Sequence, residues 1–270
     1  NHEEFIKHER ELDESISLFR LTPAERRLLF RDIQYVPTVE KGVLRPEDTF
    51  GQVLEAGLVY QGLYQSRSLA MKQYLGEWLD YLDLKKEDLV RPVYTASKLE
   101  AFKLLLGRSL VLHPKVLYLD EPLRNLEKED KEIALDFLSQ LRDSREITMI
   151  IASQDVETLA DLTDRCAIMC EGHLVELYNT ESMMGAPFHP YTAALIASHR
   201  SMDFTPSWTK FRLSTDEGNG SAYKSEACPF YRRCTLADET CKVKPELSMV
   251  ESGHFYACHH SIYGGAPQRL

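Results

Sequence analysis

Two adjacent carboxylates, Asp120 and Glu121, directly follow the apolar run Val116–Leu119. A short run of β-branched and aliphatic residues predicts a buried strand, which would bring both acids to the edge of a sheet. In a site that hydrolyses a nucleotide, Asp120 would hold Mg²⁺ through its water shell, and Glu121 would orient and polarise the attacking water. The alternative is structural, because acids after a strand also cap the first turn of a helix.

Four cysteines near the C-terminal end of the sequence are the second group that could do chemistry. They are Cys228, Cys234, Cys241 and Cys258, with the spacing C-x5-C-x6-C-x16-C. In a cytosolic chain, clustered thiols indicate a metal site more often than disulfides. The tight cysteine pair typical of zinc is missing, and the irregular spacing is compatible with an iron–sulfur cluster, so both metals remain open. Two disulfides are the structural alternative.

The other thiols and imidazoles near this group give weaker signals. Cys166 and Cys170 lie in an alternating apolar segment and are expected to be buried small hydrophobes. His254 and His259 lie beside the last cysteine, but isolated histidines in a polar segment are expected to be solvated rather than to bind metal. A metal here would mainly staple a segment with little hydrophobic core of its own.

Alternating helices and strands are predicted to position the acids. A helix ends at His113–Pro114 before the first strand, and a long amphipathic helix precedes a second buried strand, Ile147–Ala152. Residues 108–178 alternate strand and helix and end in a hairpin, which predicts a three-layer α/β core with a largely parallel sheet. Residues 50–107 show helical spacing of their apolar side chains.

The composition is that of a soluble globular protein. Of 270 residues, 43% are hydrophobic and 27% charged, and no signal peptide or membrane-spanning apolar stretch is evident. The net charge of −10 argues against nucleic acid as the main ligand, because neutralising a phosphate backbone needs a basic face. A nucleotide remains compatible with this charge, since backbone N–H groups and a few cations suffice to bind it.

The order of these segments resembles the nucleotide-binding subunits of ABC transporters, specifically the peptide-importer branch (oligopeptide, dipeptide and Sap type). The resembling segments are Ile33–Val36 before the Q-loop, His113–Pro122 at the Walker B strand, Ile150–Asp155 at the switch histidine, Asp164–Glu176 at the closing hairpin, and Pro187–Thr192 with the cysteine-rich tail. Members of this branch can hold a [4Fe–4S] cluster in that tail, so the resemblance favours iron–sulfur at the four cysteines, with zinc as the alternative.

The resemblance implies a division of the chain. We expect a remnant of the ATP-binding core up to the Q-loop at 1–49, a helical subdomain at 50–107, the α/β core with its Walker B strand at 108–200, a linker at 201–226, and a cysteine-rich segment at 227–270. The core is expected to be incomplete at its N-terminal side, because no Gly-x-x-x-x-Gly-Lys-Ser/Thr phosphate loop occurs in the sequence. Either the chain is a fragment or the protein lacks this loop.

The signature motif of the family, Leu-Ser-Gly-Gly-Gln, corresponds to Ala96–Glu100 in this chain. In the family its glycines let backbone N–H groups approach a γ-phosphate bound by the partner subunit. Ser97 is retained, whereas both glycines are replaced and Glu100 adds a like charge. Lys98 could supply a cation, but a flexible ammonium is not a preorganised pair of amides.

Three further positions depart from the family's motifs and also suggest weak hydrolysis. The Q-loop glutamine corresponds to Thr38, which is too short to reach a metal in the same way. The switch histidine corresponds to Gln154, which cannot carry a proton between states. The aspartate of the Leu-Asp loop corresponds to Glu127. Asp120 and Glu121 would then be relics, or would still serve Mg-ATP if a phosphate loop exists outside this sequence.

The resemblance implies a degenerate, weakly or non-hydrolysing ATP-binding subunit, peripheral at the cytoplasmic face of the cell membrane. Its expected partners are a second ABC ATPase subunit, two integral-membrane subunits contacted through the helical subdomain and, indirectly, a solute-binding protein. The alternative function is a non-catalytic iron–sulfur scaffold or regulatory module of ABC fold. An ABC-fold ATPase of nucleic-acid metabolism is disfavoured by the acidic charge.

Overall fold

The computed structural model describes residues 20–40, 42–66, 68–144, 147–155, 162–180, 187–199, 226–251 and 253–262. The chain divides into two compact units, Asn1–Ala152 and Ser153–Leu270. No helix in the described part of the chain is both long and apolar enough to cross a membrane. The predicted linker at 201–226 lies, except for its last residue, outside the described residues.

A three-stranded parallel sheet forms the centre of the first unit. Its strands are β1 (Ile33–Val36), β2 (Val116–Asp120) and β3 (Thr148–Ala152), in the order β1-β2-β3. Val36 pairs with Leu119, and Asp120 pairs with Ala152, so the carboxyl ends of the strands lie at one edge. The predicted parallel α/β arrangement is confirmed for these strands.

Five α-helices lie among the described residues of this unit. They are α1 (Pro23–Asp32), α2 (Phe50–Tyr60), α3 (Leu69–Tyr81), α4 (Lys98–Leu110) and α5 (Lys128–Ser144), with short 3-10 turns at Lys86–Val90 and Val93–Thr95. Helix α1 begins at a capping box, in which the side chains of Thr22 and Glu25 each accept a hydrogen bond from the other's backbone N–H. Thr49 and Ser68 cap α2 and α3 with their side-chain oxygens, because each accepts a hydrogen bond from an N–H in the first turn.

The helices of residues 50–110 enclose a hydrophobic core around α4. Gly107 of α4 allows their closest approach, since a Cβ atom there would lie 2.5 Å from Leu82 Cδ1 and 2.8 Å from Leu54 Cδ2. Both leucines are fully buried. Glycine is therefore required at this position by packing rather than by backbone conformation.

The second unit is built on a four-stranded antiparallel sheet. Its strands are β4 (Arg165–Cys170), β5 (His173–Asn179), β6 (Ser248–Glu251) and β7 (His254–Tyr256), in the order β4-β5-β7-β6, and α6 (Pro190–His199) packs in the same unit. The predicted hairpin is thus β4–β5, with its turn at Glu171 and Gly172, both of which have positive φ.

The cysteine-rich segment, expected to have little core of its own, packs on the core of this unit. Cys228, Phe230 and Cys241 pack in one hydrophobic cluster with residues of β4, β5 and α6. Strands β6 and β7 extend the hairpin sheet through the pairing of β7 with β5. The segment has few apolar residues, but these pack against residues of the β4–β5 hairpin and α6, which are distant in the sequence.

Candidate functional site

The predicted Mg²⁺-binding acid lies at the carboxyl edge of the parallel sheet, where Asp120 ends β2. Tyr35 of β1 donates its hydroxyl proton to Asp120 Oδ2 at 2.9 Å, and this hydrogen bond raises the pKa of the phenol. Thr38 Oγ1 donates to the carbonyl oxygen of Asp120, also at 2.9 Å. The fold therefore brings Asp120 close to Thr38 at the Q-loop position. Both side chains already form hydrogen bonds with other groups of the protein.

Glu121 follows in a left-handed backbone conformation, with φ of 45°. Its N–H donates to the carbonyl of Ala152 at 2.8 Å, which holds the turn against β3. A non-glycine residue in this region costs about 1–3 kcal/mol, so the neighbouring structure must impose it. The helix-capping alternative is wrong for both acids, because α5 begins only at Lys128. Asp120 instead ends strand β2, and Glu121 lies in the turn that follows it.

The N-terminus of α4 holds the signature position, and a carboxylate of the same helix already occupies it. Ser97 Oγ accepts from the N–H of Glu100 at 3.1 Å, and the N–H of Ser97 donates to Glu100 Oε2 at 2.8 Å. Arg91 donates to both carboxylate oxygens of Glu100, at 2.8 and 3.3 Å. The guanidinium holds the pKa of Glu100 below its usual value.

The remaining nucleotide-site residues are exposed. Lys98 Nζ lies 3.4 Å from Glu127 Oε1, so the cation at the signature position pairs with the residue at the Leu-Asp loop position. With these side chains 55% and 78% exposed, the pair contributes only about 0–1 kcal/mol. Gln154 is exposed and belongs to the second unit, two residues beyond the end of β3.

The four clustered cysteines are all reduced in the second unit. Cys228, Cys241 and Cys258 are buried, Cys234 is half-buried, and the N–H of Cys228 donates to the carbonyl of Cys241 at 2.9 Å. Burial, together with the charge of the neighbouring thiols, raises the pKa of Cys228 to about 11 and that of Cys258 to about 12. Because burial disfavours the thiolates of Cys228 and Cys258, a bound metal cation would be needed to stabilise them.

A buried carboxylate that the sequence analysis did not single out organises the same unit. Glu176 of β5 is fully buried and accepts hydrogen bonds from the N–H groups of Phe188 and His189, at 2.8 and 2.9 Å. His254 Nε2 lies 2.7 Å from Glu176 Oε1. The expectation that His254 is solvated is wrong, because this ring is 3% exposed and pairs across 78 residues of sequence. A charged residue within the apolar strand β5 was the available signal.

The first unit also contains a groove between α2, α3 and the 3-10 turn at Lys86–Val90. Its volume is about 260 Å³. The lining residues are Thr49, Gly51, Gln52, Glu55, Met71, Lys72, Leu75, Leu89 and Val90. Val90 is 78% exposed, so an apolar side chain stands at the mouth of the groove. Such a concave, partly apolar surface suits the face of a partner helix.

Comparison with known proteins defines the class of fold first. CbiO1 of Clostridium perfringens, part of the ABC transporter complex CbiONQ, superposes with a TM-score of 0.52 over 60% of this chain and 63% of that chain, at 20% identity. An ATP-binding cassette with bound ADP and phosphate gives a TM-score of 0.51 at 17% identity, over 60% and 68% of the two chains. The fold is that of an ABC nucleotide-binding domain, which confirms the predicted fold class.

Sequence relatives then define the family. Residues 175–241 match the oligopeptide/dipeptide transporter C-terminal region. SapD of Escherichia coli O6:H1, a peptide transport system ATP-binding protein, is 27% identical over 92% of this chain and 77% of its own. DdpF of Escherichia coli K12, named a probable D,D-dipeptide transport ATP-binding protein, is 30% identical over 64% of this chain and 58% of its own. The chain is thus similar to ATP-binding proteins of peptide import, which confirms the predicted resemblance to the peptide-importer branch of ABC nucleotide-binding subunits.

Proposed function

We propose that this chain is an ATP-binding subunit of a peptide-type ABC transporter, in which it contributes little or no hydrolysis and pairs with a second, intact ATPase subunit. One observation carries the proposal: the N-terminus of α4 is occupied by Glu100, held there by Arg91. The names of the relatives, peptide and dipeptide transport ATP-binding proteins, support the transport role.

The occupied helix terminus explains why hydrolysis would be weak. In the family, this terminus offers backbone N–H groups to the γ-phosphate held by the partner subunit. Here the carboxylate of Glu100 accepts from the N–H of Ser97, and a second anion would approach a like charge. The side chains of Lys98 and Leu99 also stand where the family has glycine. The substitutions therefore mainly affect the backbone N–H donors that would stabilise the charge of the transition state.

The experiment for this step restores the motif. The triple variant Lys98→Gly, Leu99→Gly, Glu100→Gln is expected to raise ATP turnover by the assembled transporter at least about tenfold, because each good oxyanion donor is worth about that much or more. A variant with Lys98→Gly alone is the control, since it leaves the Glu100 carboxylate in place. Equal turnover in the triple variant and wild type would contradict the proposal.

The half-site contributed by the parallel sheet would bind nucleotide without turning it over efficiently. Asp120 would hold Mg²⁺ through water and Glu121 would face the attacking water, with Mg-ATP as the ligand. Thr38 uses its hydroxyl on the Asp120 carbonyl, so it does not supply the reach of a glutamine. Gln154 can donate a hydrogen bond but cannot exchange a proton at neutral pH.

Docking on the two integral-membrane subunits is proposed to use the groove of the helical subdomain. This places the chain peripherally at the cytoplasmic face of the membrane, with a solute-binding protein as an indirect partner. The test is co-purification with the membrane subunits, comparing Val90→Glu at the groove with Leu69→Glu, an equally exposed apolar position that does not line it. Loss of the complex is expected for Val90→Glu only. Equal retention by both variants would refute docking at this groove.

The four cysteines are proposed to hold a [4Fe–4S] cluster, with zinc as the alternative. The donor set fits either, and when bound the group would cross-link distant parts of the cysteine-rich segment to one another. The runner-up function is a non-catalytic iron–sulfur scaffold or regulatory module, which this cluster of thiols favours. Co-purification distinguishes the two functions, because a scaffold or regulatory module would not co-purify with the integral-membrane subunits.

A further inference from the structure

A carboxylate and an imidazole lie beside one of the clustered cysteines. His260 Nε2 is 3.0 Å from Asp238 Oδ2, and Cys241 Sγ is 3.8 Å from Asp238 Oδ1. The ligand atoms of all three residues lie within 4.8 Å of one another. They come from two separate segments, the 3-10 turn at Glu239–Lys242 and the chain that follows β7.

Other contacts hold the side chain of Asp238 and the backbone of Cys241 and His260 in place. Asp238 Oδ1 accepts from the N–H and the hydroxyl of Thr240, at 2.8 and 2.6 Å. Cys241 is buried, and its carbonyl accepts from the N–H of Cys228. The carbonyl of His260 accepts from the thiol of Cys258 at 2.7 Å. The convergence is therefore built into the backbone of this segment and does not depend on three mobile side chains.

The separations suit a tetrahedral metal ion. With bonds of about 2.0–2.3 Å, the ligand atoms of a tetrahedral zinc site lie roughly 3.3–3.8 Å apart. The separations of Asp238 from His260, 3.0 Å, and from Cys241, 3.8 Å, lie within tenths of an ångström of this range, and all three ligand atoms lie within 4.8 Å of one another. One thiolate, one imidazole and one carboxylate form a mixed donor set that favours Zn²⁺ and Co²⁺ over Mg²⁺ or Ca²⁺.

We propose that Asp238, Cys241 and His260 form a binding site for a divalent transition-metal ion such as Zn²⁺, with the fourth position open to water. This ligand set differs from the four-cysteine set and shares only Cys241 with it. One thiolate cannot complete both sites, so the mixed site is occupied when no four-thiolate group is bound. The segment thereby has two alternative metal states.

The experiment uses the full chain, reduced and stripped of metal under anaerobic conditions, and titrates it with Co²⁺. The intensity of the thiolate-to-cobalt charge-transfer band reports how many sulfurs bind. Wild type is expected to bind one Co²⁺ with a band of one-thiolate intensity, and competition with a chromophoric chelator gives the Zn²⁺ affinity. His260→Asn is expected to weaken binding at least about tenfold, since it removes a direct ligand.

Matched variants separate this site from the four-cysteine site. His259→Asn removes the neighbouring imidazole, which contacts the carbonyl of Val243 and not the triad, and should leave affinity unchanged. Cys234→Ser removes a thiol that only the four-cysteine set uses, and should also leave it unchanged. Asp238→Asn keeps the capping of the 3-10 turn, because asparagine caps as well as aspartate, but should weaken the metal site.

Three results would overturn the proposal. They are no Co²⁺ binding by the wild type, equal affinity of His260→Asn and His259→Asn, and a multi-thiolate band that Cys234→Ser abolishes. The last result would place the metal on the four cysteines and leave that part of the proposed function intact. Loss of an iron–sulfur chromophore in Cys234→Ser alone tests the four-cysteine site separately, so the two failures are distinguishable.

Discussion

The contact between Arg91 and Glu100 allows a quantitative prediction about helix α4, which begins at the signature position. Glu100→Gln keeps an oxygen for the N–H of Ser97, and glutamine serves a capping box as well as glutamate. The substitution therefore removes mainly the charge that Arg91 binds at 2.8 and 3.3 Å. Hydrogen bonds to charged groups contribute about 1.5–3 kcal/mol and exposed ion pairs about 0–1 kcal/mol; with the side chains 35% and 26% exposed we expect an intermediate loss of about 1–2 kcal/mol.

Urea denaturation of the full chain at pH 7 measures this loss as a lower midpoint at unchanged slope. Glu87→Gln is the matched control: it makes the same chemical change at an exposed position of the adjacent 3-10 turn, and should shift the free energy of unfolding by less than about 0.5 kcal/mol. Equal effects of the two substitutions would show that Glu100 is not anchored by Arg91, and the argument for an occupied helix terminus would fail.

The pH dependence of the difference between wild type and Glu100→Gln follows from the same contact. Arg91 lowers the pKa of Glu100 in the folded state below its ordinary value of 4.5. A group with a lowered folded-state pKa contributes stability above its unfolded pKa and loses it as pH falls through the folded value. The difference in stability should therefore be full at pH 7 and shrink below about pH 4.5. A difference that grows on acidification would refute the assignment.

Two further predictions concern packing in the two units. Glu176→Ala should cost about 3–5 kcal/mol in a denaturation experiment, because it removes the acceptor that the N–H groups of Phe188 and His189 and the His254 ring share. Exposed Glu239→Gln should cost almost nothing, and similar losses for the two substitutions would show that Glu176 is not the anchor. Gly107→Ala should lower the free energy of unfolding by about 1–3 kcal/mol through overpacking, while Gly76→Ala, whose added Cβ atom would have its nearest neighbour at 3.8 Å, should raise it; the opposite order in a thermal denaturation experiment would contradict the packing.

Local signals in the sequence predicted much of the fold. The capping box at Thr22, the apolar run ending at Asp120 and the helical spacing of residues 50–107 each depend on neighbours within a few positions. The same is true of the signature position, where Ser97 and Glu100 are three residues apart. These features are encoded within single elements, so the pattern alone locates them.

Contacts between distant elements were not predictable in this way. His254 pairs with Glu176 across 78 residues, and the sequence around either residue does not indicate the other as its partner. His260 meets Asp238 only once β7 pairs with β5 and β6 with β7, so no local pattern links the two residues. The engagement of Asp120 by Tyr35 likewise requires the register of β1 against β2.

ATP turnover by the assembled transporter, compared between wild type and Glu121→Gln in this chain, tests the central claim most directly. The matched control carries the equivalent substitution in the partner ATPase subunit and should abolish turnover. Unchanged turnover with Glu121→Gln is the predicted result, because hydrolysis then belongs to the partner. Loss of turnover with Glu121→Gln would contradict the account and make Glu121 a working catalytic residue.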